Sequence, residues 1–183
     1  MYLFITVLFF LFFILAILFI MKAHKEYLRS NYSSNESDCI CAFDIDGTIT
    51  CGLENAAKAV AKCKEKGCKI AINTARPTKW YSDVNLPALG LSVSDFDNDF
   101  YHGEPFECSF IDENCFHNSV ADTKVKHLRT MAKKWGIEPK RIILFDDLYT
   151  NVNKAQNAGF SIIHANDGGI PNNAVEKIDK ILS

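Results

Sequence analysis

Two pairs of carboxylates, a threonine and a lysine stand out in this chain of 183 residues. Asp44 and Asp46 lie in the run Asp44-Ile-Asp-Gly-Thr48, Asp146 and Asp147 are adjacent, and Thr74 and Lys124 stand alone. Paired carboxylates can act as nucleophiles, as general acids and bases, and as hard oxygen ligands for a divalent cation. A threonine hydroxyl and a lysine ammonium beside them would hold and neutralise an anionic group. Singly, each has an ordinary reading: an Asp pair after a strand is often a turn or a helix cap, and a Thr at a strand end is often packing. What sets these residues apart is their place in the pattern of apolar runs.

Cys39-Ile-Cys-Ala-Phe43 is a short apolar run that stops at Asp44, as a buried parallel strand does where its carboxyl end opens into a loop. Leu53, Ala57, Val60, Ala61 and Lys64 then fall at helical spacing with Gly67 as the stop, and Ile70-Ala-Ile72 is a strand ending at Asn73-Thr74. Val125, Leu128, Met131, Ala132 and Trp135 form a helical stripe between a cap at Asp122 or Thr123 and a stop at Gly136. Arg141 to Phe145 is a strand ending at Asp146-Asp147. A short helix through Val152, Ala155 and Ala158, a strand over Phe160–Ile163 and a closing helix over Ala174–Leu182 follow. Strands alternating with helices predict an α/β domain with a doubly wound, Rossmann-like parallel sheet. In such sheets ligands bind outside the carboxyl ends of the strands, so Asp44/Asp46, Thr74 and Asp146/Asp147 should converge.

With these elements in order, the chain resembles the haloacid dehalogenase (HAD) superfamily: Asp44-Ile-Asp-Gly-Thr48 after a strand, Thr74 after the next, Lys124 opening a helix, and Asp146-Asp147 after another strand. The resemblance covers the chain from Cys39 onward. It implies a phosphatase-type phosphoric monoester hydrolase in which Asp44 attacks phosphorus and carries an aspartyl-phosphate. Asp46 would protonate the leaving oxygen and then activate water, Thr74 would hydrogen-bond the phosphoryl group, and Lys124 would offset its charge and that of Asp44. The implied cofactor is Mg²⁺, with Asp44, the backbone carbonyl of Asp46 and Asp147 as ligands and Asp146 either orienting Lys124 or sharing the metal shell. Setting Asp147 and Asn151 against the family's Asp-x-x-x-Asp spacing favours Asp147 as the direct ligand. Transfer to an acceptor other than water, or a non-catalytic membrane-anchored scaffold of the same fold, are the alternatives.

Residues 77–121 contain no long periodic segment and lie where the superfamily inserts a cap, but the insertion is small and implies an open site. It is acidic: Asp83, Asp95, Asp97, Asp99, Glu104, Glu107, Asp112, Glu113 and Asp122 fall between Trp80 and Thr123, where there is no Lys or Arg. Placed at the mouth, such a rim would repel a polynucleotide, leaving a small molecule or peptide as the phosphorylated substrate. Asp95-Phe-Asp-Asn-Asp99 fails as a calcium loop, because Phe100 stands where the turn glycine is needed. His102, Cys108, Cys115 and His117 are a weak candidate zinc cluster, with no familiar ligand spacing.

Tyr2 to Met21 carry no charge and predict a single membrane-spanning helix, followed by a flexible stem over residues 22–38 and the catalytic domain over 39–183. Lys22, Lys25 and Arg29 directly after the apolar run place the domain on the cytoplasmic side, whereas Asn31-Tyr-Ser33 and Asn35-Glu-Ser37 are glycosylation sequons that would mark a lumenal one. Seven cysteines, an odd number scattered through predicted elements, are expected to be reduced thiols. A formal net charge of −2 points to no polyanionic partner.

Overall fold

The computed structural model describes residues 37–75, 85–90, 92–96 and 113–183, together with the single positions Ile17 and Lys22. The chain divides into two units, Met1–Glu36 and Ser37–Ser183. The predicted membrane span and stem therefore fall almost wholly outside the described residues, and no described helix is long and apolar enough to cross a membrane. The second unit is the domain built below.

Four strands, β1 (Ile40–Phe43), β2 (Lys69–Ile72), β3 (Ile142–Asp146) and β4 (Ser161–His164), pair in parallel in the order β2-β1-β3-β4. Helices α1 (Leu53–Glu65), α2 (Glu113–Trp135), α3 (Tyr149–Asn157) and α4 (Ala174–Leu182) cover its two faces. The period of two along β1 sorts its side chains between them. Cys39, Cys41 and Phe43 face the layer of Ala56, Val60 and Ile178, whereas Ile40 and Ala42 face the layer of Leu128, Met131 and Ala155. The doubly wound sheet predicted from the alternation is thus present, and α1 and α4 pack on one face while α2 and α3 pack on the other.

The chain leaves β1 for β2 on one side and returns to β3 on the other, so the strand order reverses between β1 and β3. The crevice opened there, at the strands' carboxyl ends, is the place for a ligand. Asp44 N–H donates to the Phe145 carbonyl at 2.9 Å, Asn73 N–H to the Phe43 carbonyl at 2.8 Å and Ala165 N–H to the Asp146 carbonyl at 2.9 Å. These bonds carry the ladder past the strand ends and hold the emerging loops. Beneath them the fully buried rings of Phe43 and Phe145 stack with centroids 4.3 Å apart.

Two expectations need correction. The helix carrying Lys124 starts at Glu113, not at Asp122, so Lys124 lies mid-helix and the carboxyl end of the insertion is helical. Asn114, Asn118 and Ser119 are poor helix formers, and the first turns are held by tertiary packing, with Val120 and Ala121 buried. The cysteines are not all thiols: Cys39 pairs with Cys68, Cys41 with Cys63, and Cys115 is also disulfide-bonded, leaving exposed Cys51 free among the described residues. The odd count hid this, because the pairing partners lie 29 and 22 residues apart and meet only when β1, α1 and β2 pack.

Candidate active site

The crevice holds a cavity of about 260 Å³ lined by Asp44, Asp46, Thr74, Lys124 and Asp147 together with His117. Every single-residue candidate from the sequence is at its wall, except Asp146, which lies directly behind it. Asp44 is the first residue past β1 and is 5% exposed. Lys124 reaches it from α2 with Nζ 2.9 Å from Oδ1, and the same ammonium donates to Asp146 Oδ2. Asn73, next to Thr74, donates from Nδ2 to the Lys124 carbonyl at 3.2 Å, which ties the end of β2 to the turn of α2 that presents the lysine.

The two adjacent aspartates have different environments. Asp146 is fully buried, and its oxygens accept from Lys124 Nζ, from Leu148 N–H at 3.0 Å and from Asn151 Nδ2 at 2.9 Å. Asp147 is half-buried and lines the cavity. Its carbonyl accepts from His164 Nε2 at 2.9 Å, so that nitrogen carries the proton. Gly47 explains how Asp147 comes so close to the first aspartate pair: its φ is +67°, and a Cβ there would overlap the Asp147 carboxylate.

Electrostatics follow from this packing. Burial, with a contribution from Asp146, outweighs Lys124 and pushes Asp44 up to about 6. Burial alone would lower Lys124, but the carboxylates of Asp44 and Asp146 outweigh it and raise its pKa, so the ammonium stays charged. Burial, then the adjacent Asp146, also raises Asp147. One carboxylate oxygen from each of Asp44, Asp146 and Asp147 lies within 4.8 Å of the others. Three crowded carboxylates, those of Asp44 and Asp147 with raised pKa, an all-oxygen donor set and a glycine cradle all fit a hard divalent cation.

The structure moves three other sequence candidates. His117 is on the same face of α2 as Lys124, two turns earlier, and lines this cavity instead of a zinc site. Cys115 is bound in a disulfide and is lost as a thiolate ligand, while His102 and Cys108 lie outside the described residues. Asp95 does not stand at the mouth. It pairs with Lys64 at 3.0 Å and its segment packs Phe96 against the α1 side of the core. Lys64 is about 16 Å along α1 from Leu53, toward the opposite end of the sheet. Asp122 pairs with Lys154 at 2.7 Å, and the remaining acidic residues of the insertion are outside the described residues or have no described side chain. Asn151, buried at the cavity wall with Oδ1 unpartnered among the described residues, was visible in sequence only as the last position of an Asp-x-x-x-Asp spacing.

Residues 23–180 match the acid phosphatase family. No curated protein matches the chain significantly. Among solved structures, an uncharacterised protein from Corynebacterium glutamicum aligns with a TM-score of 0.53 at 15% identity, covering 80% of this chain and 96% of that one. The core domain of a Streptococcus pneumoniae protein described as a candidate phosphoglycolate phosphatase aligns with the same TM-score at 19% identity, covering 81% and 97%. At such identities the two likenesses speak for the fold alone.

Proposed function

Because the chain belongs to the acid phosphatase family and is a phosphohydrolase, we propose that it hydrolyses a phosphate monoester through an aspartyl-phosphate on Asp44, with Mg²⁺ bound beside it. The observation that carries this reading is the burial of Asp44 at the end of β1, paired with Lys124 and facing the cavity that Asp46, Thr74 and Asp147 also line. Asp44 Oδ attacks phosphorus while Lys124 draws charge from both the carboxylate and the phosphoryl oxygens. Thr74 donates a hydrogen bond to the phosphoryl group. Asp46, exposed where Asp44 is buried, gives its proton to the leaving oxygen and then takes one from the water that opens the intermediate. Asp44, the Asp46 carbonyl and Asp147 would hold the metal, which supplies charge neutralisation for the approach of a carboxylate to an anion. Asp146, its oxygens already occupied, orients Lys124.

The test is turnover of an aryl phosphate by the full chain with Mg²⁺, with and without an alcohol acceptor. Asp44→Asn should abolish turnover with the fold retained by circular dichroism, and wild-type activity in that variant would remove the assigned nucleophile. Phosphorylated alcohol among the products would favour transfer to an acceptor over hydrolysis.

We also propose that residues 2–21 anchor the domain to a membrane, on the strength of that uncharged run. The positive residues after it favour a cytosolic domain, but two disulfides and the two sequons favour an oxidising, lumenal side, and we adopt the second. A mobility shift removed by endoglycosidase and absent after Asn31→Gln with Asn35→Gln is the expected result. An unmodified chain whose Cys39 and Cys68 react with a thiol reagent in intact cytosol would return the domain to the cytoplasmic side.

A further inference from the structure

A second cavity, of about 660 Å³, adjoins the first through two shared wall residues, Gly47 and Asp147. Its other walls include Tyr149, His164, Asn166 and Asp167. The catalytic cavity, at about 260 Å³, is smaller than the range of about 300–1,000 Å³ usual for a small-molecule site. Once the phosphoryl group and metal are seated there, the alcohol part of a substrate must extend beyond it. Asp46, the proposed proton donor to the leaving oxygen, directly precedes the shared Gly47, so that oxygen is released at the junction of the cavities.

The second cavity has a definite chemistry. Tyr149 is 70% exposed, an unusual state for a large ring in a folded domain, and its ring lies tilted against that of His164 with centroids 6.4 Å apart. Asp167 is an exposed carboxylate, and none of the described lining residues is Lys or Arg. Asp147 adds a second carboxylate whose charge a bound metal would offset, leaving Asp167 as the free anion. At the amino end of α3, which would otherwise favour an anion, Asp146 accepts from Leu148 N–H at 3.0 Å and sets its own carboxylate there. An open aromatic face and an exposed carboxylate lining one cavity are a setting for an ammonium group, through the ring quadrupole and the opposite charge.

We propose that this cavity is the leaving-group subsite and that it selects phosphate monoesters whose alcohol carries an ammonium or quaternary ammonium group, held between the Tyr149 ring and Asp167. The inference rests on the phosphatase reading above. A second anionic group on the alcohol would meet two carboxylates and no Lys or Arg among the described lining residues, and is disfavoured.

The experiment compares kcat/KM of the full chain with Mg²⁺ on three esters: phosphocholine, its uncharged isostere in which a quaternary carbon replaces the nitrogen, and an aryl phosphate. Phosphocholine should exceed its isostere by about 10-fold. Tyr149→Ala and Asp167→Asn should each cut that ratio by roughly 3-fold or more while leaving the isostere and the aryl phosphate unchanged. A ratio near one in the wild type, with the aryl phosphate turned over, refutes the cation subsite and leaves the phosphatase reading standing. Variants that slow all three esters alike refute it too, by showing a structural role. If no ester is turned over, the phosphatase reading fails, and choline binding by NMR line broadening still decides the subsite: broadening lost in Asp167→Asn supports it, and none in the wild type overturns it.

Discussion

The two adjacent aspartates after β3 show how environment separates chemically equal residues. Asp146 is fully buried and satisfied by Lys124, Leu148 and Asn151, whereas Asp147 faces the cavity across from Gly47. Asp147→Asn should therefore raise the Mg²⁺ concentration needed for half-maximal activity by roughly 10- to 100-fold with little loss of stability. Asp146→Asn should instead cost about 3 kcal/mol in denaturant unfolding, because it leaves a buried ammonium short of a partner. Exchanged phenotypes would mean that the metal ligand and the orienting residue had been assigned the wrong way round. Asp44 supplies a pH signature. Its folded value of about 6 exceeds the 3.8 of a free carboxyl, so between those values the folded protein holds a proton that the unfolded chain has released. Stability of the metal-free protein should fall as pH rises through that window, by on the order of 2–3 kcal/mol, and Asp44→Asn should flatten the profile. Urea unfolding in chelator across the window checks this, and a slope unchanged in Asp44→Asn would assign the proton to another group.

At the scale of elements, two loops depend on glycine for close approach. Gly47 makes room for the Asp147 carboxylate, and Gly169, at φ +84°, lies where a Cβ would overlap the Cys51 carbonyl. The second contact locks the turn after β4 against the entry to α1, where Asn55 Nδ2 also donates to the Ile170 carbonyl at 2.9 Å. Gly47→Ala should lower activity and metal affinity far more than stability. Gly169→Ala should act mainly on the fold, by more than about 1 kcal/mol, since its Cβ would meet the Cys51 backbone carbonyl, which cannot swing aside as the Asp147 side chain can at Gly47. Metal titration and unfolding measured on both variants separate the two. Helix α2 places His117 and Lys124 on one stripe, about 10 Å apart along its axis. His117→Ala should accordingly raise KM for bulky esters while leaving the metal requirement alone.

Over the whole domain, β1 is the central member. It pairs with β2 and β3, leads directly into Asp44, the proposed nucleophile, and is tied by Cys39 to Cys68 ahead of β2 and by Cys41 to Cys63 on α1. Closing a loop of 29 residues through Cys39–Cys68 stabilises by about 3.6 kcal/mol in the chain-entropy account. The double change Cys39→Ser with Cys68→Ser should lower unfolding stability by that order, and reductant should do the same to the wild type. Equal stability with and without reductant would mean that these cysteines are thiols in solution.

The sequence by itself determined the strand and helix order, the parallel doubly wound class and which candidate residues would meet at one edge, because each depends on local period and on which residue follows a strand. Asp44, Asp46, Thr74, Lys124 and Asp147 were legible since strand ends in such sheets share one edge. Only the tertiary structure separated Asp146 from Asp147, since that difference arises from Lys124, Leu148, Asn151 and Gly47 meeting around them. It also began α2 nine residues before the predicted cap, because packing of Val120 and Ala121 overrides the weak propensity of the first turns. It paired cysteines that an odd count had suggested were free, and it took Asp95 from the mouth to the far end of α1. Each of these depends on contacts between residues distant in the chain, and composition and spacing carry no record of such distances.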